Sequence, residues 1–317
     1  MKCLLELRNV SKIFKTGILG KGIIKAVDDV SLRVEEGNIL GLLGESGSGK
    51  STIARLILKM TKPTKGVLLF KGVDIWKIKD IDYYRRVQGV FQDPFSSFNP
   101  RRKVSSAFYD VIRNYYGHEK FNNEDKLIEF IKPVIESIGL SFSEILDRYP
   151  HEFSGGQLQR LSIARSLLVQ PELLVADEPV SMIDASTRID ILNIFIDLKR
   201  EKGLTSIIIS HDLALTSYVS DKVAVLYKGQ VVEDGPSDIL LDPLHPYTKM
   251  LSEAIPRLEK KWKSPLSYGV ETTTHLYDLG CVFAPRCPHR MEICLKQNPP
   301  YVNIDKSRVK CWLYVSK

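Results

Sequence analysis

The chain has 317 residues, 44% of them hydrophobic, enough apolar material for one large domain with an appendage or for two modest ones. Its longest apolar runs, such as 173–176 and 207–209, fall far short of the ~20 residues that cross a bilayer as a helix, so a membrane role has to be peripheral. The net charge of +7 would suit nucleic acid or an anionic surface, but the lysines and arginines are scattered. The densest stretches, at 59–71, 101–103 and 260–263, read as solvated surface.

Met1-Lys2-Cys3-Leu4-Leu5-Glu6 meets charge at once, with neither an apolar core segment nor a small-residue cleavage site, which reads as a cytoplasmic chain without a secretory leader. The first 90 residues read as strands at 4–10, 26–34, 39–43, 67–70 and 87–91, interrupted by a helix from Lys50 to about Met60. From Asp93 to about Gln170 helical patterns take over, at 105–116, 124–138 and 156–169, as expected of a helical subdomain. Apolar runs return at 173–176 and 205–210 around a helical stretch at 187–202, the β-α-β spacing of a parallel sheet. Segments 223–227 and 230–233, split by Lys228-Gly229, read as a terminal hairpin. After Asp242 the composition shifts to Pro, His, Lys and Trp. These patterns predict an α/β fold: a main domain over 1–240, with its helical subdomain at about 93–170, and a C-terminal extension over 241–317.

Gly44-Glu45-Ser46-Gly47-Ser48-Gly49-Lys50-Ser51 matches G-x-x-x-x-G-K-[ST] and lies between an apolar strand and a helix, where a phosphate-binding loop must lie. Glycines let backbone N–H groups close around phosphates, and a helix opening at Lys50-Ser51-Thr52 adds its positive end. Lys50 is expected on the β and γ phosphates of ATP and the Ser51 hydroxyl on Mg2+. The bland alternative is a Gly-Ser turn before a helix. Asp177 and Glu178 end the strand 173–176, the edge where open α/β sheets bind ligands. Asp177 is expected to hold Mg2+ through water and Glu178 to polarise the attacking water; without the phosphate loop the pair would read equally well as a solvated turn.

Between these motifs, Ser154-Gly155-Gly156-Gln157 followed by 158–165 resembles the signature of ATP-binding-cassette (ABC) ATPases, over about residues 2–255. The resemblance implies that this segment caps the γ-phosphate of ATP held by the opposite subunit, so that two cassettes close on two nucleotides. A serine hydroxyl, two glycine amides and a helix N-terminus would face the anion; alone, Ser-Gly-Gly before a helix is more often a cap. It further implies that Gln92 links Mg2+ and the attacking water to the helical subdomain, that Asp184 is the intersubunit aspartate, and that His211 is the switch histidine at the γ-phosphate. Phe14 would stack on adenine, although an aromatic after a first strand is commonly core. Phe153, where leucine usually precedes the signature serine, and Met182-Ile183, in place of Ala-Leu before Asp184, are the departures from the pattern.

The run 92–101 (Gln-Asp-Pro-Phe-Ser-Ser-Phe-Asn-Pro-Arg) and His245-Pro246-Tyr247-Thr248, followed by Leu251 and Ala254-Ile255-Pro256, resemble the oligopeptide and dipeptide importer branch. The tail cysteines Cys281, Cys287, Cys294 and Cys311 resemble a module that holds a [4Fe-4S] cluster in related subunits. Spacing alone fits neither a zinc ribbon nor a two-cluster ferredoxin, so zinc and unliganded buried cysteines stay open. The branch implies an ATPase on the cytoplasmic face of the cell membrane. It would work with two transmembrane permease subunits, a second cassette (its own copy or a sister) and, indirectly, a solute-binding protein, with no nucleic acid. Two alternatives are a non-transport ABC ATPase acting on nucleic acid, and an importer of oligosaccharide or metal.

Overall fold

Alternating burial sets the first two strands. In β2 (Gly22–Glu35), Val30, Leu32 and Val34 face inward while Arg33 faces out, the period of a half-buried strand; it pairs antiparallel with β1 (Cys3–Thr16). The computed structural model describes residues 2–16, 22–117, 124–145, 147–253 and 279–315. The chain continues through β3 (Ile39–Leu43), α1 (Lys50–Ile57), β4 (Lys65–Phe70), β5 (Val73–Asp74), α2 (Asp80–Arg86) and β6 (Val87–Val90). Three helices follow, α3 (Val104–Tyr116), α4 (Glu124–Glu136) and α5 (Gly155–Leu167). Next come β7 (Leu173–Asp177), α6 (Ala185–Lys202), β8 (Thr205–Ser210), α7 (Leu213–Val219), β9 (Lys222–Tyr227), β10 (Gln230–Pro236) and α8 (Pro246–Glu253). The tail adds α9 (Glu292–Lys296), β11 (Tyr301–Ile304) and β12 (Ser307–Lys310).

Two sheets form. One has the order β2-β1-β4-β5; the other runs β11-β12-β10-β9-β3-β8-β7-β6. In the larger sheet β9, β3, β8, β7 and β6 are parallel, and β10, β12 and β11 continue it antiparallel. The parallel strands are covered on both faces, so β3 and β8 are buried along their whole length and β7 over Leu173–Ala176, with apolar runs at their centres. Helices α3–α5 pack on one side of this sheet. Val104, Phe108 and Ile112 of α3, and Leu127, Ile131 and Ile135 of α4, recur every four residues and are buried in one cluster with Leu158 and Leu161 of α5. Each such side chain contributes about 2 kcal/mol by leaving water.

The strand and helix segments expected from the sequence all form. Residue 91 differs: β6 stops at Val90 and Phe91 is exposed. Several elements were not expected, among them β5, α8 and α9. Helix α2 buries only Tyr83, so its sequence carries no periodic signal. Helix α7 has only seven residues, and the β11–β12 hairpin turns at Asp305, whose φ of 49° is served by no glycine.

The cysteine tail requires a correction. Cys281, Cys294 and Cys311 are buried and Cys287 is half-buried, all as free thiols. Cys281, Cys287 and Cys294 pack into an apolar cluster with Tyr227, Tyr247 and Phe283, where a free cysteine acts as a small hydrophobe. Burial pushes the Cys281 thiol up to about 11 and the Cys311 thiol up to about 12. Among the described residues no group of three or more His, Cys, Asp or Glu side chains is arranged to hold a metal ion. The iron–sulfur cluster expected on these four residues is therefore not supported. The parts of the importer-branch motif at 254–256 lie outside the described residues.

Candidate functional site

The carboxyl edge of the parallel sheet assembles the site. The buried strand β3 runs into the loop 44–51, and this loop runs into α1. Gly49 has φ of +105°, and a Cβ there would stand 2.2 Å from the Ala26 carbonyl oxygen, so only glycine lets the loop pass under β2. Lys50 folds back and is buried. Its Nζ donates to the Gly44 carbonyl at 2.7 Å, the Glu45 carbonyl at 2.8 Å and Ser48 Oγ at 3.3 Å. All three partners are neutral oxygens, and burial lowers the Lys50 pKa against the pull of Glu178, Asp177 and Glu45. No side chain caps α1, which leaves its first-turn N–H groups to a ligand. A buried ammonium and an uncapped helix start fit a polyphosphate.

Strand β7 ends in the two acids. Asp177 Oδ1 accepts from Ser51 Oγ at 3.1 Å, joining β7 to the phosphate loop. Burial raises the Asp177 pKa, partly offset by the Ser51 hydrogen bond. Ser51, Asp177 and the Gln92 amide supply hard oxygen donors of the kind Mg2+ takes. Glu178 adopts φ of 48°, held by its N–H donating to the Ile209 carbonyl at 3.0 Å. Its own carbonyl accepts from the Ser181 N–H and hydroxyl. In this turn Gln92 Nε2 donates to Glu178 Oε2 at 3.0 Å, and His211 Nδ1 lies 3.4 Å from Glu178 Oε1. Segments 86 and 33 residues distant in sequence thus meet on one carboxylate. A carboxylate so gripped can orient and deprotonate a water.

The other expected residues lie apart from this centre. Ser154 caps α5, with its Oγ accepting from the Gln157 N–H at 3.2 Å and the Gln157 Oε1 accepting from the Ser154 N–H at 3.0 Å. Gly155 and Gly156 lie against Ile183 and Thr187. Among the described residues no hydrogen bond joins 154–157 to the loop 44–51. Asp184 opens α6, but its exposed carboxylate caps nothing there. Phe14 pairs with Ile24 across β1 and β2, with Lys12 Nζ 5.0 Å from its ring centre. Two residues that the sequence did not place at the site touch the loop from the tail: Tyr247 Oη accepts from the Glu45 N–H at 2.9 Å, and Arg286 pairs with the Glu45 carboxylate. Tyr247 was visible only as part of a family motif, and nothing in the sequence pointed Arg286 at Glu45.

Two family models match the chain, ABC transporter over residues 27–181 and oligopeptide/dipeptide transporter, C-terminal region, over 232–294. The chain is 38% identical over 320 residues to the putative oligopeptide transport ATP-binding protein YkfD of Bacillus subtilis, covering 98% of this chain and 95% of that protein. It belongs to the ABC transporter family of ATP-binding subunits. Within that family it is also 41% identical to the oligopeptide transport ATP-binding protein OppF of Salmonella typhimurium, over 91% of this chain and 87% of OppF. A solved ABC cassette, MJ1267 in its ADP conformation, superposes with a TM-score of 0.64 at 28% identity, covering 77% of this chain and 96% of that one. The dimeric cassette MJ0796, bound to ADP and Pi in a post-hydrolysis state, gives 0.64 at 26% identity, over 74% and 99%. The chain is accordingly an ATPase of the ABC type, with the cassette fold. Among its described residues no helix is long and apolar enough to cross a membrane.

Proposed function

We propose that this ATPase powers a membrane importer of dipeptides or oligopeptides, seated on the cytoplasmic face of the membrane against two permease subunits. The observation that carries its chemistry is the Glu178 carboxylate held between Gln92 and His211, beside the Ser51–Asp177 pair. In this reading Lys50 and the loop amides hold the phosphates of ATP, and Glu178 takes the proton of the attacking water. Gln92 and His211 keep that carboxylate oriented. Ser51, Asp177 and Gln92 would hold Mg2+, which supplies charge neutralisation on the phosphates. Phe14 would stack on the base.

Ser154–Gln157 and Asp184 complete the site from a second cassette. The exposure of Asp184 and the lack of any hydrogen bond from the signature to the chain's own phosphate loop support that division of labour. The permease contact is read from the segment after Gln92. Phe95 is half exposed, and Ser97, Phe98, Asn99 and Arg102 line a groove of about 310 Å3 with Asp110 and Asn114 of α3. Peptide cargo is supported by the names of the relatives and by the match of the C-terminal region to the oligopeptide/dipeptide transporter family model.

The test is reconstitution of the chain with its permeases and solute-binding protein in vesicles. Peptides should raise ATP hydrolysis severalfold and enter the vesicles in proportion to it. Stimulation by an oligosaccharide or metal ion and not by peptides would contradict the cargo, and no coupling to any solute would contradict transport.

A further inference from the structure

The tail reaches the phosphate loop through one residue, Glu45. Arg286 Nη1 donates to Glu45 Oε2 at 2.8 Å and Nη2 to Glu45 Oε1 at 3.0 Å, a bidentate pair that fixes direction as well as distance. The Arg286 side chain is largely buried, with its guanidinium 5.8 Å from the Tyr227 ring centre and 6.0 Å from that of Phe283. From the other side the Glu45 N–H donates to Tyr247 Oη at 2.9 Å. Glu45 is the second residue of the loop, and its carbonyl is one of the three oxygens that hold Lys50 Nζ. Both side chain and backbone of one loop residue are therefore held by the tail.

Tyr247 is itself fixed by a buried relay. Both oxygens of Glu233 on β10 accept from backbone, at 2.8 Å from the Leu244 N–H and 3.0 Å from the His245 N–H. His245 Nδ1 then accepts from the Tyr247 N–H at 3.0 Å. The Tyr247 ring packs 4.6 Å from Tyr227 and 5.5 Å from Phe283, centre to centre. The His-Pro-Tyr run thus aims one phenol at the loop.

We propose that Tyr247 and Arg286 are positioning residues for ATP binding, holding Glu45 from the tail so that the loop 44–51 keeps the shape that receives the phosphates. This rests on reading 44–51 as the phosphate site. A free loop residue would have to be ordered as ATP binds, at the expense of affinity; one already held is not. The effect belongs in ATP affinity and not in the chemical step, because neither residue touches Glu178, Gln92 or His211 through any described hydrogen bond.

The test uses the full-length chain, with fluorescent ATP binding, steady-state hydrolysis and thermal melts. Arg286→Ala should raise Kd and KM for ATP roughly tenfold, the scale of losing hydrogen bonds to a charged group, with kcat at saturating ATP within about twofold of wild type. Arg286→Lys should recover part of the loss, since an ammonium can replace one of the two bonds. Tyr247→Phe keeps the ring in its cluster and should raise KM a few-fold. Arg286→Ala in a Glu45→Ala background should cost little more than Glu45→Ala alone. Unchanged Kd in both Arg286→Ala and Tyr247→Phe, or a loss confined to kcat with a lowered melt, would overturn the proposal. Lys50→Ala separates the premise: if it binds ATP as wild type does, the phosphate-site reading itself fails.

Discussion

Glu178, the carboxylate proposed to take the proton of the attacking water, carries a conformational burden, since a non-glycine residue at φ of 48° costs on the order of 1–3 kcal/mol. Its backbone bonds to Ile209 and Ser181 offset that cost and hold the turn that lets Gln92 and His211 reach the carboxylate. Lys50, Ser51, Asp177 and Glu178 were legible because strand–loop–helix context and a strand-end acid pair are local signals. Gln92 and His211 came only from family resemblance. Tyr247 and Arg286 escaped because they meet Glu45 across 202 and 241 residues of chain, a separation that single-sequence patterns do not encode. His245 offers a residue-scale test. It is fully buried, and burial lowers its pKa from 6.5 to about 3; the Glu233 carboxylate, Tyr247 and the Phe283 ring lie against it. The folded pKa is depressed, so below pH ~6.5 the unfolded chain takes a proton that the folded chain refuses until about pH 3. This contribution to stability is full above pH 6.5 and falls with acidification by up to about 1.4 kcal/mol per pH unit. His245→Asn, whose amide oxygen can still accept from the Tyr247 N–H, should flatten that limb in urea melts between pH 6.5 and 5. Parallel limbs in the two proteins would contradict the assignment.

At the scale of elements, α5 offers a test of whether Ser154 does more than cap a helix. Ser154 and Gln157 form a reciprocal cap, so Ser154→Ala should cost about 1 kcal/mol of stability. Ser154→Asn keeps a competent cap and should restore the melt. It should not restore hydrolysis if the hydroxyl also meets the partner's nucleotide, and recovery of both would leave Ser154 a cap alone. Elements buried on one periodic face, such as α3 and α4, and strands buried on both faces, such as β7 and β8, were legible from their apolar spacing. Helix α2 was not, because one buried tyrosine makes no stripe. The β11–β12 hairpin was hidden because Tyr-Val-Asn-Ile and Ser-Arg-Val-Lys lack clean alternation and their turn lacks glycine.

At the scale of the molecule, the composition change near residue 240 obscured a continuity. Strand β12 pairs with β10 through Glu233–Val309 and Asp234–Arg308, and Arg308 both pairs with the Asp234 carboxylate and donates to the Ser31 carbonyl on β2. The tail is built into the larger sheet and reaches the phosphate loop by its own residues. Among the described residues Ser154–Gln157 and Asp184 make no hydrogen bond with the phosphate loop, and the proposed function has a second cassette supply them. The most direct measurement is therefore Glu178→Gln with Mg-ATP, following ATP turnover and molecular mass by size-exclusion chromatography with light scattering. The amide keeps the shape but cannot take the proton of water, so turnover should fall at least a hundredfold, roughly the lower end of what a positioned general base contributes. ATP should stay bound, and an ATP-dependent dimer should accumulate. Wild-type turnover in this variant, or a monomer that holds ATP with no second cassette, would contradict the account.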